Sequence, residues 1–389
     1  MAPDRLTIGL PVSQSGQFSL QGEQVLAEIK QWIRWTNDRG GITVAGGQRL
    51  PLELVQYDDE SQSAVAVDRT QRLIHDDEVD LLFGPYSSRL TLATAPVADD
   101  HEMVFWNHSG ATNALYGAGF EWLVSILSPA SRYFHGLLDM VHQIDRSASR
   151  VAVCWSSSGS FGGAVISGAK TRAHELPFTI VGDQPWEPPL DDSAPIYDSL
   201  READPHVILA AGSFDDDTTL VRELIAQDIC TKAIGVVAAG ISAFGKQLGE
   251  TATGVFGPSQ WEPYPEFIPD YGPSSADVVE LFESTSVQAT DYPAAQAFAA
   301  GIVVEACLAA SDAYDSASGT IDQRQLRFAA ETADFTTFFG RFRIDPETGK
   351  QVGHVPAVVQ WQEGTKRVVW PDERQCVDPR YPTHLDDRP

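Results

Sequence analysis

The chain has 389 residues, 43% of them hydrophobic and 10% aromatic, so it is long enough for two domains with substantial cores. Its net charge of −27, from 54 acidic and 27 basic residues, argues against nucleic acid and anionic membrane surfaces as partners. No run of about 18 apolar residues is present, so no membrane span is predicted. Residues 1–5 lead into a strand-like run without a signal peptide. We therefore expect either a cytosolic protein or an exported protein whose signal has been removed.

Strand-like and helical patterns alternate from the N-terminus. Val25, Ile29 and Trp32 share one face of a predicted helix that ends at Arg39-Gly40-Gly41. The other predicted helices of this part are 64–75 and 90–99, and the predicted strands are 6–10, 52–57, 81–84 and 103–106. Such an alternation is typical of a parallel βαβ series.

A second series of the same kind follows residue 129. Its predicted strands are 151–155, 179–181, 207–211 and 234–238, and helix 218–226 has an acidic first turn, residues 215–217. Residues 275–333 return to long helices, including 294–310. The stretches "FGRFRIDPETGK" and "PAVVQWQEGTKRVVW" predict antiparallel hairpins, and the chain beyond 371 is expected to be an extended tail. The predicted fold class is α/β, with two similar lobes.

One loop carries a candidate binding site. In "FWNHSGATN" (residues 105–113), an apolar run stops in Ser109-Gly110-Ala111-Thr112. Small residues let the backbone approach another group closely, and hydroxyl and N–H groups suit a carboxyl oxygen. An ordinary strand-to-helix loop with Ser and Thr as capping residues is the alternative.

Signals of catalysis and of metal binding are absent from the sequence. It contains no GxSxG, GxxxxGK[ST], GxGxxG or HExxH pattern. His108 and Ser109 are adjacent, and on an extended segment adjacent side chains point in opposite directions. The nine histidines have no short ligand spacing, and the four cysteines are widely spaced, with Cys154 and Cys307 in apolar runs. We expect no metal, no cofactor, no disulfide framework and no enzymatic activity.

Five stretches together carry a resemblance over residues 6–371. They are "IGLPVSQSGQFSLQGEQVLAEIKQWIRWTNDRGGI", "LVQYDDESQSAVAVDRTQRLI", "LLFGPYSSRLTLATAPVAD", "WNHSGATN" and "FGRFRIDPETGKQVGHVPAVVQWQEGTKRVVWP". In this order and spacing the chain resembles the type I periplasmic solute-binding proteins of the leucine/isoleucine/valine-binding family. More loosely, it resembles the amide-sensing regulators built on the same scaffold.

The resemblance implies two Rossmann-like lobes joined by a three-segment hinge, with ligand in the cleft between them. The implied N-terminal lobe is 1–124 plus 254–337, the C-terminal lobe is 125–253 plus 338–371, and 372–389 is the tail. The implied crossings lie near residues 123–125, 253–256 and 335–339. The family's carboxylate-binding loops match two sets of residues here, namely Ser87 and Ser88 on one loop and Ser109, Gly110, Ala111 and Thr112 on the other.

The second lobe departs from the family pattern. Where amino-acid binders hold the ligand ammonium with an aromatic hydroxyl and an acid, this chain has Phe161 and Ala239. Residues 215–217 supply acids nearby, with a helix N-cap as the alternative role. The family's disulfide in the first lobe is also missing. Aromatic residues expected near the ligand are Phe18, Tyr86, Trp106, Trp155, Phe161, Trp261 and Tyr292.

The resemblance implies an extracytoplasmic receptor that closes on a small carboxylate- or amide-bearing ligand and delivers it to the membrane permease of an ABC importer. Because an ammonium without an acceptor is costly to bury, we expect an aromatic or deaminated acid, or its amide, to bind more tightly than leucine, isoleucine or valine. The alternatives are a cytosolic amide-type sensor that regulates gene expression through a protein partner, and an unrecognised hydrolase that uses Ser109.

Overall fold

The computed structural model describes residues 5–284 and 291–383 and divides the chain into two compact units. The first unit comprises Met1–Ser128 and Glu266–Val355, and the second comprises Pro129–Pro265 and Pro356–Pro389. Parts of two predictions, residues 285–290 of the helical region and 384–389 of the tail, lie outside the described residues.

The strands and helices follow the alternation that the sequence predicts. The strands are β1 (Leu6–Val12), β2 (Ile42–Thr43), β3 (Arg49–Leu50), β4 (Leu52–Asp58), β5 (Leu81–Phe83), β6 (Phe105–Asn107), β7 (Leu123–Ser125), β8 (Arg150–Ser156), β9 (Thr179–Trp186), β10 (Val207–Ala211), β11 (Ala233–Val236), β12 (Phe256–Ser259), β13 (Tyr314–Asp315), β14 (Thr320–Ile321), β15 (Phe335–Thr337), β16 (Gly340–Phe342), β17 (Ala357–Gln362) and β18 (Thr365–Trp370). The helices are α1 (Ser19–Asp38), α2 (Ser63–His75), α3 (Ser88–Asp100), α4 (Ala114–Gly117), α5 (His135–Ile144), α6 (Phe161–Glu175), α7 (Ala194–Ala203), α8 (Phe214–Ala226), α9 (Ser242–Leu248), α10 (Ser275–Glu283), α11 (Tyr292–Ala309) and α12 (Gln323–Thr332).

A five-stranded parallel sheet lies at the centre of the first unit, with strand order β4-β1-β5-β6-β7. The five consecutive residues 8–12 of β1 are all buried, which is typical of a parallel strand covered on both faces. Because the strands are parallel, their carboxyl ends meet at one edge, where open α/β sheets bind ligands. The loops at this edge are 13–18, 59–62, 84–87 and 108–113.

The second unit contains a seven-stranded sheet, with strand order β18-β17-β12-β11-β10-β8-β9. The strands from β12 to β9 are parallel, whereas β17 and β18 add an antiparallel hairpin. The turn of that hairpin was correctly predicted. Glu363 and Gly364 both have positive φ (53° and 71°), as a two-residue type I′ turn requires.

Helix α11 is the core helix of the first unit. It is long and apolar enough to cross a membrane by length and composition alone, but 89% of it is buried inside the fold. It packs against α1, where Gly301 faces the fully buried ring of Trp32. A Cβ at Gly301 would lie 2.0 Å from that ring, so the close approach of the two helices requires glycine. A helix that is apolar on all sides is expected in such a position.

Two of the expected lobe boundaries differ from the structure. Strand β12, expected in the first lobe, pairs with β11 and β17 in the second unit, so the crossing follows Pro265. Residues 338–355, expected in the second lobe, belong to the first unit, since the backbone N–H of Ser125 donates to Gly349 O (2.9 Å). Strand pairing and backbone hydrogen bonds, which the sequence resemblance does not reveal, decide both assignments.

Over the described residues 372–383, the segment predicted as an extended tail is hydrogen-bonded to β17. The side-chain amide of Gln360 donates to Arg380 O (2.9 Å) and accepts from Arg380 N (2.9 Å).

The predicted hairpin in "FGRFRIDPETGK" is only partly formed. Strand β16 pairs with β15, and a single bridge between Ile344 and Gln351 closes the turn. All four cysteines are free thiols, and Cys154 and Cys307, which lie in apolar runs of the sequence, are buried.

Candidate functional site

The side chain of Asn107 organises the loop that follows β6. Its amide oxygen accepts hydrogen bonds from the backbone N–H groups of Ser109 (3.2 Å) and Gly110 (2.7 Å). Its amide nitrogen donates to Gly110 O (2.8 Å) and to Ser125 Oγ (2.9 Å) at the end of the neighbouring strand. One buried side chain thus satisfies three backbone groups of the loop and fixes the loop to β7.

Ser88, the first residue of α3, holds the other half of the same loop. Its hydroxyl oxygen accepts from Ala111 N (3.0 Å) and from Thr112 N (3.1 Å). Ser88 is 8% exposed, and Thr112 is fully buried. The structure therefore brings the two predicted loops together. The backbone amides expected to bind a ligand, however, already donate to side-chain oxygens of the protein.

The small residues of the loop do permit a close approach, but the group that approaches is part of the protein. A Cβ at Gly110 would lie 2.6 Å from Cγ2 and 2.7 Å from Cβ of Thr91, on α3. Thr91 is itself fixed, because its hydroxyl donates to Pro85 O (3.0 Å). Packing between the loop and α3 is thus sufficient to explain glycine at this position.

The expectation that the side chains of His108 and Ser109 point apart is wrong. Ser109 Oγ lies 2.7 Å from Nδ1 of His108, because the chain bends after Asn107 instead of remaining extended. His108 is fully buried, and burial lowers the pKa of its ring to about 4. A ring with this pKa is neutral at pH 7. Nε2 of Gln296 lies 3.5 Å from Ser109 Oγ.

Phe18 and Tyr86 lie at the same edge of the first unit. Their rings meet edge to face, with centroids 5.7 Å apart, and both residues are half-buried. Burial raises the pKa of Tyr86 to about 12, so its phenol is neutral at physiological pH. The neighbouring Ser87 hydroxyl has no hydrogen-bond partner among the described residues. Its oxygen is buried, so Ser87 contributes a buried polar group, unpaired in the described part of the chain, next to Tyr86.

Arg89 is a candidate site residue that sequence reasoning missed. It follows Ser88 on α3 and is exposed. Its Nη2 donates to Ser61 O (2.8 Å), and its Cζ lies 5.2 Å from the centroid of the Phe18 ring. Arg89 also lines a cavity of about 450 Å³ at this edge, together with Gln17, Glu60, Ser61, Gln62, Ser63 and Ala64. The sequence did carry a signal for Arg89, because a basic residue directly follows the predicted serine loop in a strongly acidic chain.

The predicted residues of the second unit mostly make contacts within the fold. Trp155 is half-buried, and its indole N–H donates to Asp183 Oδ1 (3.0 Å). The ring of Phe161, the first residue of α6, packs edge-on against Tyr133 with centroids 5.7 Å apart. Ala239 is fully buried, and its carbonyl accepts from the indole N–H of Trp361 (2.9 Å). Their roles in ligand binding remain predictions.

Two predicted aromatic residues are buried almost completely. Trp106, the central residue of β6, is 0% exposed, and Trp261 is 1% exposed. Both rings therefore contact other protein atoms over nearly their whole surface. The indole N–H of Trp106 has no partner among the described residues.

The acidic residues 215–217 lie in the first turn of α8, and the N-cap role expected of them belongs instead to Ser213. Ser213 caps the helix by accepting from Asp216 N (3.1 Å). The carboxylate of Asp217 bridges two loops, since its oxygens accept from Gly212 N (2.7 Å) and Ala238 N (2.9 Å). Burial raises the pKa of Asp217 to about 7. Asp216 Oδ1 accepts from Leu190 N (2.8 Å).

Asp216 and Trp186 form a second feature that sequence reasoning missed. Asp216 Oδ2 and the indole N–H of Trp186, at the end of β9, are both buried and lack partners among the described residues. Both side chains lie beside Gly212, because a Cβ there would meet Trp186 at 2.6 Å and Asp216 at 3.1 Å.

In the described part of the chain, no group of three or more His, Cys, Asp or Glu is arranged to hold a metal ion.

Comparisons with known proteins agree with this architecture. A sequence model of the family described as periplasmic binding protein matches residues 5–366. A structure described as a branched-chain amino acid ABC transporter from Silicibacter pomeroyi is similar, with 16% identity, a TM-score of 0.82, and 98% of this chain and 100% of that chain covered. A solute-binding protein from R. palustris in complex with benzoate has 16% identity and a TM-score of 0.76, covering 96% and 99%. LivJ from Streptococcus pneumoniae in complex with isoleucine has 18% identity and a TM-score of 0.76, covering 94% and 100%.

Proposed function

Because the chain belongs to the periplasmic binding protein family and has the type I fold, we propose that it is the extracytoplasmic receptor of an ABC importer. Its partner is the membrane permease, and its ligand is a small molecule that carries a carboxylate or an amide. The observation that carries the proposal is the junction of the loops 84–88 and 107–112 at the carboxyl edge of the first sheet. Ligand binding is coupled to hinge closure, so small-angle scattering is expected to show compaction at saturating ligand.

We further propose that an aromatic or deaminated acid, or its amide, binds more tightly than leucine, isoleucine or valine. The side chain of Phe161 has no hydroxyl and that of Ala239 has no carboxylate, so neither can hold an ammonium. Benzoate and isoleucine are the ligands of two similar proteins, so both ligand classes belong in the same screen. Calorimetric titration with valine, the keto acid of valine and benzoate ranks them. Micromolar binding of valine with neither analogue detectable contradicts this ligand class.

A thermal unfolding screen tests the receptor proposal. A ligand that binds only the native state stabilises it by about 2.7 kcal/mol at one hundred times its Kd, which raises the melting temperature. Amino acids, their amides, keto acids and aromatic acids form the panel, with a neutral sugar as the control. If no member of the panel moves the melting temperature, the proposal loses its main support.

Turnover assays separate a receptor from a hydrolase. A receptor leaves the esters and amides of its ligands intact, and Ser109→Ala only weakens binding. Hydrolysis that Ser109→Ala abolishes would overturn the proposal. The coding sequence upstream of Met1 tests the location, since a cleavable signal or a lipid-attachment cysteine supports export and excludes a cytosolic sensor.

A further inference from the structure

The backbone amides of residues 109–112 are poorly placed to be the main anchor of a ligand carboxylate. Asn107 Oδ1 accepts from two of them, and Ser88 Oγ accepts from the other two. Each amide must give up an existing acceptor before it donates to a ligand. A ligand carboxylate therefore exchanges one hydrogen bond for another at this loop, and the net gain is small.

Arg89, one residue beyond Ser88, has donors to spare. A guanidinium carries five N–H groups, and among the described residues Arg89 makes one hydrogen bond, to Ser61 O, and lies over the face of the Phe18 ring. Within the described parts of the chain, no carboxylate is paired with it. The backbone of Phe18 is held by the hydrogen bond from Phe18 N to Ser61 Oγ (3.1 Å), and its ring packs edge to face against Tyr86. The guanidinium thus lies on a fixed support and keeps a free edge.

The acids nearest to this support are mostly occupied. Asp58 accepts from Gln14 N (2.9 Å) and from the hydroxyl of Ser15 (2.7 Å). Asp59 is fully buried and accepts from the hydroxyl of Ser13 (2.5 Å).

Glu60, by contrast, lines the same cavity as Arg89. The cavity also receives the first residues of α2, Ser63 and Ala64, at the positive end of that helix dipole. Arg89 and the helix end therefore make part of the cavity attractive to an anion. The negative charge of Glu60 acts against this attraction.

We propose that Arg89 is the carboxylate anchor of this receptor and determines its preference for acids over their amides. The ligand class is a small organic acid whose carboxylate pairs with the guanidinium while its apolar part lies against Phe18 and Tyr86. A planar guanidinium and a carboxylate match each other in a two-bond geometry that lysine cannot reproduce. The assignment rests on the receptor function proposed above and names the residue that selects its ligand.

Matched pairs of acids and amides test the assignment by calorimetry. The probes are benzoate with benzamide, and valine with valinamide. The wild type is expected to favour the acid of each pair that it binds, and Arg89→Gln is expected to weaken binding of the acid by about tenfold or more. Arg89→Lys keeps the charge but loses the two-bond geometry, so an intermediate loss is expected. Glu60→Gln removes the opposing carboxylate and is expected to leave acid binding unchanged or stronger.

Arg72→Gln is the matched control. Arg72 is also exposed and also lies over an aromatic ring, that of Tyr57 at 4.4 Å, but it does not line the cavity. Unliganded melting temperatures check that each variant is folded. If Arg89→Gln binds the acids as the wild type does, the assignment is overturned and the receptor function stands. If it weakens acid and amide equally, Arg89 is not the acid-selecting group. If the wild type binds none of the probes, both the assignment and the proposed ligand class fail.

Discussion

Glu28 on α1 is expected to make the stability of the protein depend on pH. It is 2% exposed, and its Oε2 has no hydrogen-bond partner among the described residues. Burial alone raises the pKa of its carboxyl from 4.5 to about 8. Since the folded pKa lies above the unfolded one, the contribution of Glu28 to stability is fully present below pH 4.5. It is lost as the pH rises through 8.

The size of the effect follows from the two pKa values. Since one pKa unit corresponds to about 1.36 kcal/mol, the wild type is expected to lose roughly 2–3 kcal/mol between pH 5 and pH 7 relative to a variant without this carboxyl. Glu28→Gln has nearly the same shape and does not titrate. Its free energy of unfolding should therefore exceed that of the wild type at pH 7 by more than it does at pH 5.

Urea titrations at pH 5, 6 and 7, followed by tryptophan fluorescence, measure the difference. Glu23→Gln is the matched control, because Glu23 is an exposed glutamate on the same helix. A difference between Glu28→Gln and the wild type that stays constant over this pH range would refute the reasoning. It would mean that Glu28 binds the same number of protons in the folded and unfolded states over this range, so that its folded pKa is not raised.

Three further substitutions test packing and hydrogen bonding in the first unit. Asn107→Ala leaves three backbone groups of the loop 107–112 without partners, so we expect a loss of about 3 kcal/mol in urea titrations and weaker ligand binding by calorimetry. Unchanged ligand affinity would show that the loop keeps its shape without this side chain. Gly110→Ala places a methyl group against Thr91 and is expected to cost roughly 1–3 kcal/mol, part of which Thr91→Ser should restore. Gly301→Ala drives a methyl group into the ring of Trp32, so a loss of about 3 kcal/mol is expected in thermal melts, and a wild-type melt would contradict the close helix contact.

The bounds of β10, a strand buried on both faces, were predictable from the sequence, whereas the ends of β9 and β11 were not. The bounds of β10 agree with the prediction of 207–211, because five consecutive apolar residues are all fully buried. Strand β9 runs to Trp186, well past the predicted end at 181. It lies at the edge of the sheet, where exposed polar residues and Pro185 are tolerated. Strand β11 ends early, at Val236, and the 3₁₀ turn Val237–Gly240 follows, with Ala238 N donating to Asp217.

The candidate site was predictable as a location and not as a set of donors. Small and hydroxyl residues after a strand predict a loop at the carboxyl edge, and the two loops do meet there. Whether their amides are available depends on Asn107 and Ser88, whose hydrogen bonds the sequence does not reveal. The contact between His108 and Ser109 depends on a local bend, which no residue pattern in this stretch announces.

Substitution of Asp216 tests whether the proposed ligand carries an ammonium. An ammonium buried without an acceptor costs a few kcal/mol or more, and Phe161 and Ala239 supply none from their side chains. Asp217 has both carboxylate oxygens bonded to backbone amides, whereas Asp216 keeps one buried oxygen without a partner among the described residues. If Asp216 replaces the missing acid, Asp216→Asn abolishes valine binding and leaves benzoate binding within a few fold. Calorimetry on both ligands decides, with Asp215→Asn, at an exposed position on the same helix turn, as the control. Equal loss of both ligands would mean that Asp216 acts only by holding Leu190 N, and the preference for acids without an ammonium would then stand.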